Sequence, residues 1–362
     1  MRVGLLIYGS LETRSGGYLY DRYLVEHLRS HGDRVEIVSL PWRNYLAHLG
    51  DNFSLRLAHQ LRSLDVDVLI QDELNHPSLA WLNGWLKPQL AYPIISLVHH
   101  LRSDERRPGW QNGLYRLVER RYLQCVDGFI FNSQATRVAV EAVFGQALRS
   151  PFLIATPGGD RFLPQVSAGR IKERALGSKR LRLVFLGNLI ERKGLHTLLV
   201  ALSQFPQAAW QLQVVGSLQA DPNYARQMRA LASQLQLDEG VRFRGELPDH
   251  ELTALLAGSH ALVVPSSYEG FGIVYLEAMG FGLPVIAGTL GGAVEIVEHG
   301  QSGFLVPPED WRALAEVLAV WLYDQDRLAE MGVAARRRHQ QFPGWQTSMA
   351  AVRAFLLELG SA

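Results

Sequence analysis

The feature that most constrains this chain is an alternation of short apolar runs with longer segments of helical spacing. In the first half the runs are Val3–Tyr8, Val35–Leu40, Val66–Ile70, Ile94–Val98 and Gly128–Asn132. They are too short for helices, and several are rich in β-branched residues, as strands buried on both faces are. Between them, Tyr18–Ser30 places Tyr20, Leu24, Val25 and Leu28 on one face, and Gly32 ends the helix. Leu55–Leu64 and Tyr115–Cys125 also read as helices. The pattern restarts with Leu181–Gly187 and continues through Leu212–Gly216, Val241–Arg244, Ala261–Pro265 and Pro284–Ala287. Helices follow at Trp311–Leu322 and Leu328–Gln340. Strands alternating with helices dictate a parallel sheet covered on both faces. The expected fold class is therefore α/β, with two Rossmann-like doubly wound domains.

The two series are separated by turn chemistry at Pro157-Gly158-Gly159-Asp160. The polar stretch from there to Arg180 reads as a linker. Expected domains are residues 1–165 and 166–344. Pro343 breaks the chain before a final helix, Trp345 to about Leu359, within residues 345–362. A length of 362 residues suits two domains of roughly 100–200 residues each.

Composition excludes several classes. The net charge is +1 with no basic tail, so nothing points to nucleic acid. Cys125 is the only cysteine, which rules out an intrachain disulfide and suits a reducing compartment. The Val3–Tyr8 run is too short for a signal peptide, and no apolar stretch reaches the roughly 18 residues of a membrane span. A cytoplasmic protein is expected, with at most peripheral contact at the inner membrane face and no obligate protein partner. Arg102, Arg106, Arg107, Arg116, Arg120 and Arg121 lie beside Pro108, Trp110, Leu114 and Leu117. Asp104, Glu105 and Glu119 dilute that group, so it reads as a solvated face; a membrane-facing surface or an acidic-acceptor site is the alternative.

The sharpest constellation is Glu269-Gly270-Phe271-Gly272-Ile273-Val274-Tyr275-Leu276-Glu277-Ala278-Met279, followed by Gly280, Gly282 and Pro284. It follows a predicted strand. Gly270 and Gly272 let backbone approach a ligand. A helix starting near Phe271 or Gly272 presents free N–H groups and a positive dipole end to an anion such as a diphosphate. Glu277, about five residues in, lies roughly 7.5 Å along the axis. Its carboxylate can accept from a ribose diol, while Glu269 in the loop can reach a sugar.

At these residues the chain resembles the retaining glycosyltransferases of family 4, which have the GT-B fold. The resemblance is strong from about Leu183 to Asp310. It takes in Gly187 through Lys193-Gly194, Val214-Val215-Gly216, Phe243-Arg244-Gly245, Gly291-Gly292 with Glu295, and Gly303-Phe304-Leu305-Val306. It continues more weakly through Gly16-Gly17, His99, Phe131-Asn132-Ser133 and Pro157-Gly158-Gly159-Asp160. It implies two domains facing across a cleft, the final helix crossing back onto the first domain, and a nucleoside-diphosphate sugar as co-substrate. No cofactor and no metal are implied. Glu277 would take the ribose, with Gly270, Phe271 and Gly272 around the donor and Glu269 near its sugar.

Lys193 would neutralise the departing diphosphate, a role open to a cation in a loop at the carboxyl end of a parallel strand. The family usually has an arginine where this chain has Asn188; Arg192 is the candidate substitute. His99 would bond the donor sugar, with His100 beside it as a surface residue. Gly16 and Gly17 would form a flexible loop over the donor phosphates.

Asp65-Val66-Asp67 spells the metal motif of another glycosyltransferase fold, but it sits where a helix gives way to a strand and reads as structural. No other cluster has metal spacing in the sequence. There is no Ser–His–Asp set, no reactive-cysteine setting and no carboxylate dyad suited to hydrolysis. The expected activity is metal-independent, retaining hexosyl transfer to a glycan, lipid-linked or small-molecule acceptor. The rival readings are a sugar-nucleotide epimerase of the same fold and a catalytically silent sugar-binding or scaffold protein. The base, the sugar and the acceptor are not legible.

Overall fold

The computed structural model describes residues 1–105 and 107–360; Arg106 of the basic group and the last two residues lie outside them. The chain forms two compact units. One comprises Met1–Pro157 with the segment from Gly344 onward, and the other Gly158–Pro343.

The first unit is built on strands β1 (Arg2–Tyr8), β2 (Arg34–Leu40), β3 (Val68–Asp72), β4 (Ile94–Val98), β5 (Gly128–Phe131) and β6 (Phe152–Ile154). All pair in parallel, in the order β2-β1-β3-β4-β5-β6. The interior strands β3 and β4 are buried along their whole length, which explains their unbroken apolar runs. β3 starts at Val68 because the preceding aspartates serve β1. The Arg2 amide donates to Asp67 Oδ2 (2.7 Å), its Nε to Asp67 Oδ1 (3.0 Å), and its guanidinium pairs with Asp65. β6 is a three-residue edge strand with Phe152 exposed, and the sequence reading omitted it.

The final helix, Trp345–Gly360, belongs to this unit and packs on the Gly16–Ser30 helix. Trp345 stacks on Tyr23 with centroids 4.2 Å apart and meets Tyr20 edge-on. Arg353 Nε donates to the buried Asp33 at 2.6 Å, whose other oxygen pairs with the N-terminal ammonium.

The second unit carries β7 (Leu181–Leu186), β8 (Trp210–Val215), β9 (Val241–Gly245), β10 (Ala261–Val264), β11 (Val285–Gly288) and β12 (Gly303–Val306). They too are parallel, in the order β12-β11-β10-β7-β8-β9. From β9 inward the strands count third, second, first, fourth, fifth and sixth within the unit, the Rossmann order.

The expected linker needs correction. It contains a helix, Ala168–Leu176, capped by Ser167 and buried through Ile171 and Ala175. Arg174 Nη2 donates from that helix to the carbonyls of Phe281 (3.0 Å) and Gly282 (2.8 Å). The boundary falls at Pro157 rather than residue 165, because the next residues are tied into the second unit. His339 Nε2 bonds the Gly159 carbonyl (3.0 Å), and Arg336 Nη2 donates to the Pro164 carbonyl (3.3 Å).

Trp345 is buried in the first unit. Trp345→Ala is expected to lower stability by about 3–5 kcal/mol, the usual cost of truncating a buried aromatic. Denaturant unfolding reads this; a change below about 1 kcal/mol would show that the final helix contributes little to the first unit.

Candidate functional site

In the second unit the strand order reverses between β7 and β10, which pair with each other while the strands that follow them lie on opposite sides. Loops leaving the carboxyl ends of such strands part at this point and form the usual ligand crevice of an open α/β sheet. The loop after β7 delivers Arg192 and Lys193, and the loop after β10 delivers Ser266 through Gly272.

Gly194 locks the two loops together. It sits at φ +73°, and a Cβ there would lie 2.3 Å from the Pro265 carbonyl oxygen, so only glycine permits the approach. Lys193 Nζ thereby reaches Glu269 Oε1 at 2.5 Å. Ser266 Oγ donates to the same oxygen at 2.6 Å. Arg192 lies 3.4 Å from Glu269 Oε2 and also donates to the Tyr268 carbonyl. The Gly292 amide donates to the Glu269 carbonyl at 2.8 Å, which holds the loop from behind.

Glu269 and Lys193 are both largely buried. Burial alone would push the Glu269 carboxyl up; the charges of Lys193 and Arg192, with hydrogen bonds from Lys193 and Ser266, overcome it and hold the group at about 2. Burial also lowers Lys193, against the upward pull of Glu269.

The helix after this loop runs Ile273–Gly280, with Gly272 as its N-cap at φ +101° and no side-chain cap. A Cβ at Gly272 would strike the Tyr275 ring at 2.4 Å. The Tyr275 hydroxyl donates to the Val264 carbonyl (3.1 Å) and fixes the helix to the end of β10. Uncapped first-turn amides at the positive dipole end make an anion-binding surface. The Phe271 ring is buried, edge-on to Phe342.

Glu277 is the fifth residue of this helix and is buried. Its Oε1 accepts from Arg161 Nη1 at 3.1 Å, and Arg161 Nη2 donates to Asp249 at 2.5 Å. Burial raises the Glu277 carboxyl, and Arg161 opposes the rise. Sequence reasoning missed Arg161. Its signal was its place directly after the Pro157-Gly158-Gly159-Asp160 turn.

The first unit gathers the remaining predicted residues. Gly16 and Gly17 are not a loop preceding a helix; they are the first two residues of the Gly16–Ser30 helix, capped by Ser15. Gly17 packs on the His99 ring, where a Cβ would lie 3.1 Å from Cδ2. His99 Nε2 lies 3.4 Å from Oδ1 of the buried Asp21. Burial lowers the His99 pKa, but Asp21, Asp72 and Glu73 outweigh it and the pKa is raised. Asp21, four residues after Gly17 on the same helix face, was also missed. His100 instead bonds Glu105 at 3.1 Å.

Against the expectation that no further residues have metal spacing, two groups of possible ligand atoms come together. Asp21, Asp72 and His99 bring ligand atoms within 4.8 Å of one another, as do Glu73, His76 and Glu119. Both His76 nitrogens are already engaged, Nδ1 with Glu73 (3.0 Å) and Nε2 with the Tyr45 hydroxyl (3.1 Å).

The family model for glycosyl transferases group 1 matches residues 170–338, and that for glycosyltransferase family 4 matches residues 15–149. A GDP-mannose-dependent alpha-(1-6)-phosphatidylinositol monomannoside mannosyltransferase of Mycobacterium tuberculosis is 33% identical, over 67% of this chain and 64% of that protein. The match thus spans less than two thirds of that relative. A D-inositol 3-phosphate glycosyltransferase of Corynebacterium jeikeium is 32% identical, over 78% of this chain and 71% of that protein. Among solved structures, sucrose-phosphate synthase from Thermosynechococcus elongatus superposes with a TM-score of 0.81 at 23% identity, covering 99% of both chains. Anabaena HepE in complex with UDP-glucose gives 0.75 at 21% identity, covering 99% of this chain and all of that one. With the GT-B fold shared over whole chains and nearly a third of residues identical across most of a curated relative, this chain belongs to the family-4 glycosyltransferases, glycosyl transferases group 1.

Proposed function

We propose that this chain is a retaining, metal-independent hexosyltransferase that uses a nucleoside-diphosphate sugar. The observation that carries the reading is the cluster at the β7–β10 reversal. Glu269 is one negative charge, Lys193 and Arg192 are two positive ones, and the surplus lies in the two loops at the ends of β7 and β10, the second of which leads into an uncapped helix N-terminus. A diphosphate seats there, its ribose hydroxyls donate to Glu277, and its hexose lies toward Glu269. The acceptor hydroxyl adds to the anomeric carbon on the face the diphosphate leaves. The bond from that carbon to the diphosphate oxygen breaks, and a phosphate oxygen takes the acceptor proton. The protein supplies position and charge stabilisation. Within the first unit Asp21 holds His99, the residue that the family resemblance assigns to the donor sugar. The GDP-mannose-dependent relative and the structural neighbour in complex with UDP-glucose support a nucleotide donor and leave the base to experiment.

The direct test is a panel of UDP-, GDP- and ADP-sugars with EDTA present. Thermal shift reads binding, and nuclear magnetic resonance reads the anomeric configuration of any product. One nucleotide family is expected to stabilise the protein, by roughly 2.7 kcal/mol at a hundred times its dissociation constant, and the product is expected to keep the donor configuration. Inversion, or a requirement for added metal, overturns the proposal.

Glu277→Gln is expected to weaken nucleotide binding about ten- to a hundredfold, the cost of losing charge-assisted hydrogen bonds. Arg161→Gln tests how Glu277 stays ionised. Without that guanidinium the already raised carboxyl rises further, so the neutral form gains as pH falls. As pH is lowered, nucleotide affinity of the variant, by titration calorimetry, should begin to fall at a higher pH than that of the wild type. A parallel pH profile would remove Arg161 from this role.

Lys193→Ala should reduce kcat by about a hundred- to a thousandfold, the effect of losing one group that stabilises transition-state charge. In the wild type, turnover should fall as pH rises through the lowered lysine pKa. Full turnover by the variant would exclude Lys193 from leaving-group stabilisation.

A further inference from the structure

The helix Gly109–Leu123 in the first unit is apolar on the wrong side. Its inward face holds Val118, Glu119, Tyr122 and Leu123. At 100° per residue, Trp110, Leu114 and Leu117 fall together on the opposite face. They are 69%, 57% and 66% exposed. From the sequence this segment reads as a solvated face, with a membrane-facing surface or an acidic-acceptor site as the alternative; the structure shows its apolar residues grouped on one exposed face, with Arg121 among them and Arg120 at their flank. At the same 100° per residue Arg121 falls among them, Arg120 flanks them and Arg116 lies toward the edge of the inward face; all three are exposed, and none makes an ion pair among the described residues. The helix's one acidic residue, Glu119, is buried and accepts from the Ser103 amide at 3.0 Å.

The patch extends across the short helix Leu82–Leu86. A Cβ on Gly84 would lie 3.0 Å from the Arg121 guanidinium, so the two helices touch there. Trp81 and Trp85, three residues before and one after Gly84, are 46% and 51% exposed, and Arg62 lies over the Trp85 ring at 5.4 Å.

We propose that this face docks on an anionic lipid bilayer surface. Exposed tryptophans and leucines with arginines among and beside them are the composition of a helix lying in the membrane interface. The basic rim complements anionic headgroups. A second copy of the chain fits less well, because a two-fold interface would set the same arginines against each other with no exposed acid on the helix to neutralise them. The surface belongs to the first unit and the donor cluster to the second, so the inference stands or falls independently of the donor chemistry.

The test is sedimentation of the full chain with vesicles of phosphatidylcholine, alone or mixed with phosphatidylglycerol. Binding is expected to the mixed vesicles and weakly or not at all to phosphatidylcholine. The triple variant Arg116→Gln, Arg120→Gln, Arg121→Gln should lose about a hundredfold on mixed vesicles, from the attraction of three basic residues near an anionic surface. The triple variant Trp110→Ser, Leu114→Ser, Leu117→Ser should lose binding to both vesicle types. Both variants should keep the wild-type melting profile, which shows that they fold. Failure of the wild type to sediment with any vesicle, or sedimentation of both variants like wild type, overturns the proposal. So does a concentration-dependent dimer that the apolar variant abolishes, which would give the face to a second copy.

Discussion

Burying the Glu269 carboxylate is the constraint on which the second unit's site depends. A lone carboxylate in that position would be neutralised by its own desolvation. It stays ionised because two loops, from strands that are neighbours in the sheet but far apart in sequence, bring Lys193, Arg192 and Ser266 to it. That demands the Rossmann strand order, which makes β7 and β10 adjacent, and the Gly194 contact, which lets their loops meet. Removing one partner of such a buried set costs far more than the set contributes, so the cluster specifies geometry more than it adds stability.

The buried clusters of the two units carry opposite electrostatics. The second concentrates a surplus of positive charge beside helix amides. The first buries Asp21, Asp72, Glu73 and Glu119 at or near the carboxyl ends of its strands, against His99 and His76. Glu73 is pushed up by burial and by its acidic neighbours, and Asp72 is raised to about 6 by burial. The second unit's buried cluster is thus cationic and the first unit's is rich in carboxyls, while the exposed arginines of the Gly109–Leu123 helix form a separate surface.

What was legible in the sequence follows the range of the interaction behind it. Ile94–Val98 was read at its observed bounds because a strand buried on both faces leaves an unbroken apolar run. The Glu269–Glu277 spacing was legible because one turn and one helix fix it. The Phe152–Ile154 strand was not, because three half-exposed edge residues carry no period. The Ala168–Leu176 helix was missed because only Ile171 and Ala175 are buried, and its other anchor is Arg174 reaching backbone carbonyls more than a hundred residues away. Arg161 and Asp21 were hidden for the same reason: their partners, Glu277 and His99, are distant in sequence. The exposed face of the Gly109–Leu123 helix was visible as composition, but which side faced outward was set by tertiary packing.

Asn188 sharpens the charge accounting. A family arginine there would add a second surplus cation beside the β7–β10 reversal. In this chain the nearest arginine in sequence, Arg192, is partly committed, since it donates to the Tyr268 carbonyl and lies against Glu269. Lys193 is closer to Glu269 than Arg192 is and more deeply buried. If the donor diphosphate binds as proposed, it competes with Glu269 for both cations, and each gain in phosphate contact loosens a buried ion pair. The uncapped amides of the Ile273–Gly280 helix have no such competitor among side chains, so the helix terminus carries a larger share of anion recognition than it would beside an arginine at position 188. Helix amides cannot be titrated or displaced by a rotamer change, and they stabilise charge without reorganising. On the proposed donor site, asparagine at position 188 thus shifts anion recognition from mobile side-chain cations toward fixed backbone dipoles, and makes the placement of Gly272 the tighter requirement.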